Sequence, residues 1–214
     1  MNERIVMASS ALVAAMILLF AGSMVAHLPY LAYETSLVLS WGYVLMACSF
    51  SATAGGNRLV AAQAGIGFGV LYCGFSTVVY FIQLTTALRG TGAHEVLKML
   101  TYQELGSVMF NLELLGYGLM AISTFFLGLA VSASNTPTRW LKILLLAHGA
   151  FAPVCVAMPM LDLFGSMPRA AGATIGVDMS FAWCAYFLLI AILVFFYFQK
   201  SDNQKDNSCP LVVR

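Results

Sequence analysis

Charge is what this sequence has least of. Of its 214 residues, ten are Lys or Arg and nine are Asp or Glu, 9% in all, against 61% hydrophobic. A soluble domain carries about 25% charged residues. So few charges cannot form the polar skin of a water-soluble domain this size, so lipid is the solvent for most of the surface. The net charge of +1 argues against a nucleic-acid partner or a polyacidic substrate. Histidine is scarce too, with three in the chain. That excludes a histidine-rich desaturase. Only His148 falls inside an apolar run, which excludes bis-histidine haem ligation. No lysine lies deep enough in such a run to carry a retinal Schiff base. The five cysteines, Cys48, Cys73, Cys155, Cys184 and Cys209, have no C-x-x-C spacing, and there is no H-E-x-x-H. No cofactor, metal site or catalytic residue is therefore assigned.

Long apolar runs are abundant. A helix rises about 1.5 Å per residue, so about 20 apolar residues cross a hydrocarbon layer of about 30 Å. Six stretches qualify: 5–26, 37–54, 59–84, 106–131, 140–161 and 175–198. They are continuous rather than alternating, which favours helices over a barrel. The expected fold is all-α, a six-helix transmembrane bundle over residues 1–200, with a polar, disordered cytoplasmic tail over 201–214. The first run is longer than a signal-peptide core and lacks a clear A-x-A site after it, so it is read as a retained helix. Arg4, Arg58, Arg139, Lys142, Lys200, Lys205 and Arg214 fall on the N-terminal side of the membrane, and Arg89, Lys98 and Arg169 on the other. This bias predicts a cell-membrane protein with both termini cytoplasmic.

The connections are short. Gly55-Gly56-Asn57-Arg58 reads as a tight turn, and Thr136 or Thr138 as the cap of the fifth span. HEVLKMLTYQEL, within the longest connection, reads either as a short interfacial amphipathic helix or as a polar loop. Pro153 and Pro159 predict a kink or an early end in the fifth span.

Glu113 is the leading candidate for function. It lies about seven residues into the fourth span, and an ionisable group at membrane depth costs a few kcal/mol, so it turns inward. Tyr117, at i+4, shares its face, whereas Asn111 stands about 200° around the helix. The carboxyl reads either as a site for a proton, a cation or another small solute, or as a neutral acid bonded to a neighbouring helix. By the helical rise, His148 lies about 12 Å from the inner surface and Glu113 about 10 Å from the outer. Their heights allow a water-bridged pair suited to proton coupling. Candidate substrate-binding residues are thus Glu113, His148, Tyr117 and Asn111. Gly74-Phe75-Ser76-Thr77 is similar to the G-x-S motif of intramembrane serine proteases. Ser76, however, lies about 25 Å from the inner surface, far from His148. His27, Glu34, His94, Glu95, Asp162 and Asp178, on the outer side, lack ligand spacing and read as a solvated surface.

Ala61, Gly65, Gly69, Cys73 and Thr77 form a small-residue stripe that lets helices approach closely. It packs the bundle or, through Gly65 and Gly69, a second copy of the chain or a membrane partner. The G-Y-x-L-M-A-x-S pattern recurs at 42–49 and 116–123, read either as chance or as a parallel repeat of the kind some transporters carry.

The segments FNLELLGYGLMAISTFFLGLAV and TPTRWLKILLLAHGAF carry a resemblance. Together they resemble an uncharacterised bacterial family of six-helix integral membrane proteins. The resemblance covers about a third of the chain. Trp140-Leu141-Lys142 departs from that family's proline-basic-leucine-glycine turn. It implies topology and carries no functional residue. Function narrows to three readings: a protein that binds or moves a small solute or lipid, a non-catalytic subunit or scaffold, and a lipid-modifying enzyme without a recognised catalytic constellation.

Overall fold

The computed structural model describes residues 2–90, 92–163 and 169–206. These residues are helical, with no strand among them. The elements are α1 (Asn2–Val25), α2 (Pro29–Ser51), α3 (Arg58–Ile82), α4 (His94–Leu100), α5 (Val108–Ala130), α6 (Thr136–His148), α7 (Phe151–Met160) and α8 (Arg169–Asp206). Six helical stretches are long and apolar enough to span a bilayer: Arg4–Val25, Pro29–Ser51, Arg58–Ala87, Val108–Ala130, Thr136–Met160 and Ile175–Gln199. This is a multi-pass helical membrane protein.

The spans form a closed ring. α1 packs on α2, α2 on α3, α3 on α5, and α5 on both α6 and α7. α6 then packs on α8, and α8 returns to α1. Tyr43, Met46, Met120, Leu127, Leu145, Phe187 and Ile190 fill the middle. Leu18, Val70, Phe81, Val154 and Phe196 point outward. Lipid is as apolar as these side chains, so the ring is held by close packing and interhelical hydrogen bonds rather than by expulsion of water.

Two glycines set the closest approach. A Cβ on Gly65 would sit 2.7 Å from Leu127 Cδ2 and 3.1 Å from the Ser123 carbonyl oxygen. One on Gly69 would sit 3.1 Å from Ser123 Oγ and 3.2 Å from Tyr43 Cε1. Both are buried by the chain's own α5 and α2, so they are not open to a second copy or a partner, as the stripe had suggested. The far end of the stripe turns toward α2, where Trp41 Nε1 donates to Thr77 Oγ1 at 3.1 Å.

Several expected boundaries move for physical reasons. The second span begins at Pro29, not near Leu37. Proline suits the first helical turn. Thr35 returns its hydroxyl to the Leu31 carbonyl at 2.8 Å, which hides its polarity, and Glu34 stays exposed. The third span runs past Ile82 through a π-helical turn, Gln83–Ala87. The 55–58 turn carries Gly56 at φ 57°, where a side chain is strained. The cap of α6 is Asn135. It accepts from the Thr138 amide at 3.1 Å, while Thr138 Oγ1 accepts from the Asn135 amide at 3.1 Å.

The fifth span breaks between α6 and α7 at Gly149–Ala150. Pro153 explains the place: its ring excludes the carbonyl four residues back, that of Gly149. α4 is helical, with Leu97 and Leu100 half-buried and Val96 and Met99 exposed. α8 continues to Asp206, into the segment expected to be disordered. Residues 207–214, with Cys209, lie outside those described.

Candidate functional site

The site forms on the seam between α3 and α5, near the end of the bundle that carries α4. The buried face of α3 reads Gly65, Gly69, Tyr72, Ser76 and Tyr80, a run at three- and four-residue steps. Opposite, α5 presents Glu113, Gly116 and the half-buried Tyr117. Gly116 lets the helices meet: a Cβ there would lie 3.5 Å from Phe75 Cβ and 3.7 Å from Ser76 Oγ.

Glu113 is 1% exposed. The Tyr80 hydroxyl donates to its Oε1 at 2.5 Å. The Tyr117 hydroxyl lies 3.2 Å from that of Tyr80. Because Tyr80 spends its proton on Glu113, Tyr117 donates to the Tyr80 oxygen. The chain of donation therefore points toward the carboxyl. Among the described residues, Glu113 Oε2, Ser76 Oγ and Trp183 Nε1 are buried without a hydrogen-bond partner. Buried polar atoms are rarely left this way, and three in one region set it apart. A cavity of about 10 Å³, the room of about one water molecule, lies at Trp183 and at the Tyr80–Tyr117 pair, through which it is linked to Glu113. Ser36 of α2, Tyr72 and Tyr80 of α3, Tyr117 of α5 and Trp183 of α8 line it.

A cap closes the α4 end. The Tyr102 ring sits 6.2 Å from Tyr33 and 6.5 Å from Tyr80. Gln83, in the π-helical turn, is buried and holds the end of α4 and the loop that follows it by one bond each. Its Nε2 donates to the Leu100 carbonyl at 2.7 Å, and its Oε1 accepts from the Tyr102 amide at 3.0 Å. Burial, and then the nearby Glu113 carboxyl, push the Tyr102 phenol well above its ordinary range, so it is a neutral hydroxyl. Ser107 caps α5 by accepting from the Phe110 amide at 3.0 Å, which fixes the start of the helix that presents Glu113.

The four residues singled out from sequence separate. Glu113 and Tyr117 come together. Asn111 is exposed and turns its Nδ2 to the Gly106 carbonyl at 3.4 Å, away from the carboxyl. His148 is buried elsewhere. Its Nδ1 is 2.8 Å from Thr124 Oγ1, and its ring stacks on Tyr186 at 5.8 Å. Thr124 stands eleven positions beyond Glu113 on α5, about 16 Å along the axis. The water-bridged Glu113–His148 pair that their depths allowed is therefore not formed: the histidine bonds Thr124, too far along α5 for one water to reach the carboxyl.

Sequence reasoning passed over Tyr80, Tyr72 and Trp183. The two tyrosines had a legible signal, since they continue the glycine face of α3 at helical spacing. Trp183 had none, because its place depends on how α8 docks. The two G-Y-x-L-M-A-x-S segments differ in use. Tyr43 donates to Ser123 Oγ at 2.7 Å, and Ser123 donates to the Gly65 carbonyl at 2.5 Å. Tyr117, its counterpart, belongs to the Glu113 chain. Compared with family models, with curated proteins and with solved structures, the sequence matches none of them.

Proposed function

We propose that this chain binds, and carries across the bilayer, a small solute held at an interior polar site whose anchoring group is Glu113. The observation that supports this is the carboxyl itself: wholly buried, bonded through one oxygen to Tyr80 and unbonded at the other. A structural acid has both oxygens occupied. The cavity at Tyr80 and Tyr117 corresponds to a closed state, and a solute larger than water reaches the carboxyl only if these tyrosine walls part. The test is native mass spectrometry of the protein in mild detergent. A small molecule retained by the wild type and lost from Glu113→Gln is the expected result. A bare chain in both rules out a retained molecule, and together with a Glu113 carboxyl that does not titrate it would sink the reading.

The same reading takes the protein to sit in a cell membrane, N-in and C-in. The basic residues at the ends of α1, α3 and α6 support that orientation. A reporter fused to the C-terminus should be found in the cytoplasm, and one exposed outside the cell overturns it.

A further inference from the structure

Resting on that reading, we infer that the solute taken by Glu113 is a proton, delivered through the water-sized cavity by Tyr117 and Tyr80. A carboxylate at this depth must be met by positive charge. Among the described residues Glu113 has no ion pair, and the titratable groups that face it are phenols. These are Tyr33 from α2, Tyr72 and Tyr80 from α3, Tyr102 from the loop before α5, and Tyr117 from α5 itself. α7 sets the Cβ of Cys155 against Gly118 of α5, and the ionisable residues of α4 are exposed. An organic cation needs more room than one water occupies, and a metal ion needs about six oxygen ligands where Glu113 offers one unbonded oxygen. A proton needs neither.

The hydroxyls are already in order. Tyr117 donates to Tyr80 and Tyr80 donates to Glu113, and both line the cavity. A proton reaching the cavity adds to the Tyr117 oxygen as Tyr117 passes its own to Tyr80. Tyr80 passes its own to Glu113 Oε1. Both phenols end neutral, and the carboxylate becomes the acid. Ser36, Tyr72 and the unbonded Trp183 Nε1 are the other polar groups at the cavity, available to hold the entering water.

Infrared spectroscopy of the whole protein in lipid vesicles tests this. The expected signature is a carboxylic-acid C=O band that rises and falls with pH and is missing from Glu113→Gln. Tyr80→Phe should shift its frequency, because the bond to Oε1 is lost. Tyr117→Phe should shift the frequency less than Tyr80→Phe does and slow deuterium exchange of the band by about tenfold, the effect of losing one hydrogen bond from the path. Thermal unfolding of each variant identifies any that fails to fold, and the remaining two then decide the result. No Glu113-dependent band change with pH, or exchange indifferent to Tyr117→Phe, overturns the inference. A solute retained in the mass spectrometer beside an unresponsive band removes the proton and leaves the binding site. A titrating band in a chain that retains nothing else supports the proton as the whole cargo.

Discussion

Two buried polar chains cross the α3–α5 seam, and they end differently. Toward the middle of the bundle, Tyr43 donates to Ser123 and Ser123 to the Gly65 carbonyl. Every member is neutral and the chain ends on backbone. Nearer α4, Tyr117 donates to Tyr80 and Tyr80 to Glu113, and there the chain ends on an acid with one oxygen unbonded. The first arrangement has nothing left to bind and holds α2, α3 and α5 together. The second is incomplete. Burial alone does not separate a structural polar group from a functional one; completeness of its hydrogen bonding does.

This contrast can be broken by substitution. The largest effect expected is on ligand retention in Glu113→Gln. Losing a hydrogen bond to a charged group costs about 1.5–3 kcal/mol, or about tenfold to a hundredfold in affinity. Melting in detergent should stay within about 1 kcal/mol of wild type, because Gln can still accept from Tyr80. A large loss of stability without loss of ligand would make Glu113 the structural member. Next comes Gly65→Ala, which forces a methyl into Leu127 and the Ser123 carbonyl. It should destabilise by about 1–3 kcal/mol, as overpacking does, read by the same melt. Smallest is Tyr43→Phe, at about 1 kcal/mol, with ligand retention untouched. A variant at Tyr43 that loses the ligand would show that the two chains are one.

The spans were legible because hydropathy over twenty residues is a strong signal in a chain with few charges. Their ends were less so. The start of α2 was missed because Tyr30, Tyr33, Glu34, Thr35 and Ser36 dilute the apolar count, and their polarity is hidden only once Thr35 bonds within its own helix and Glu34 faces outward. Within a helix, spacing placed Tyr117 beside Glu113 and Asn111 away from it. Between helices, spacing is silent. Tyr80, Ser36 and Trp183 reach the cavity through the rotation of α3, α2 and α8 about their axes, which side-chain packing sets. For the same reason the small-residue stripe told of a close approach without naming the partner, and the partner is α5.

The break at Gly149 divides one membrane crossing into two pieces held with unequal strength. α6 is fixed by Leu141, Leu145 and His148, all buried, by the Tyr186 hydroxyl on the Leu144 carbonyl at 2.6 Å, and by Lys142 reaching the Val131 carbonyl at 3.4 Å. α7 buries only Ala152. The backbone of α7 is thus the least restrained part of the crossing, joined to a fixed neighbour through two residues that make single-turn bonds. In hydrogen exchange α7 should therefore open as a unit before α6 does, which makes this short helix the first place to look for the motion that parts the walls of the site.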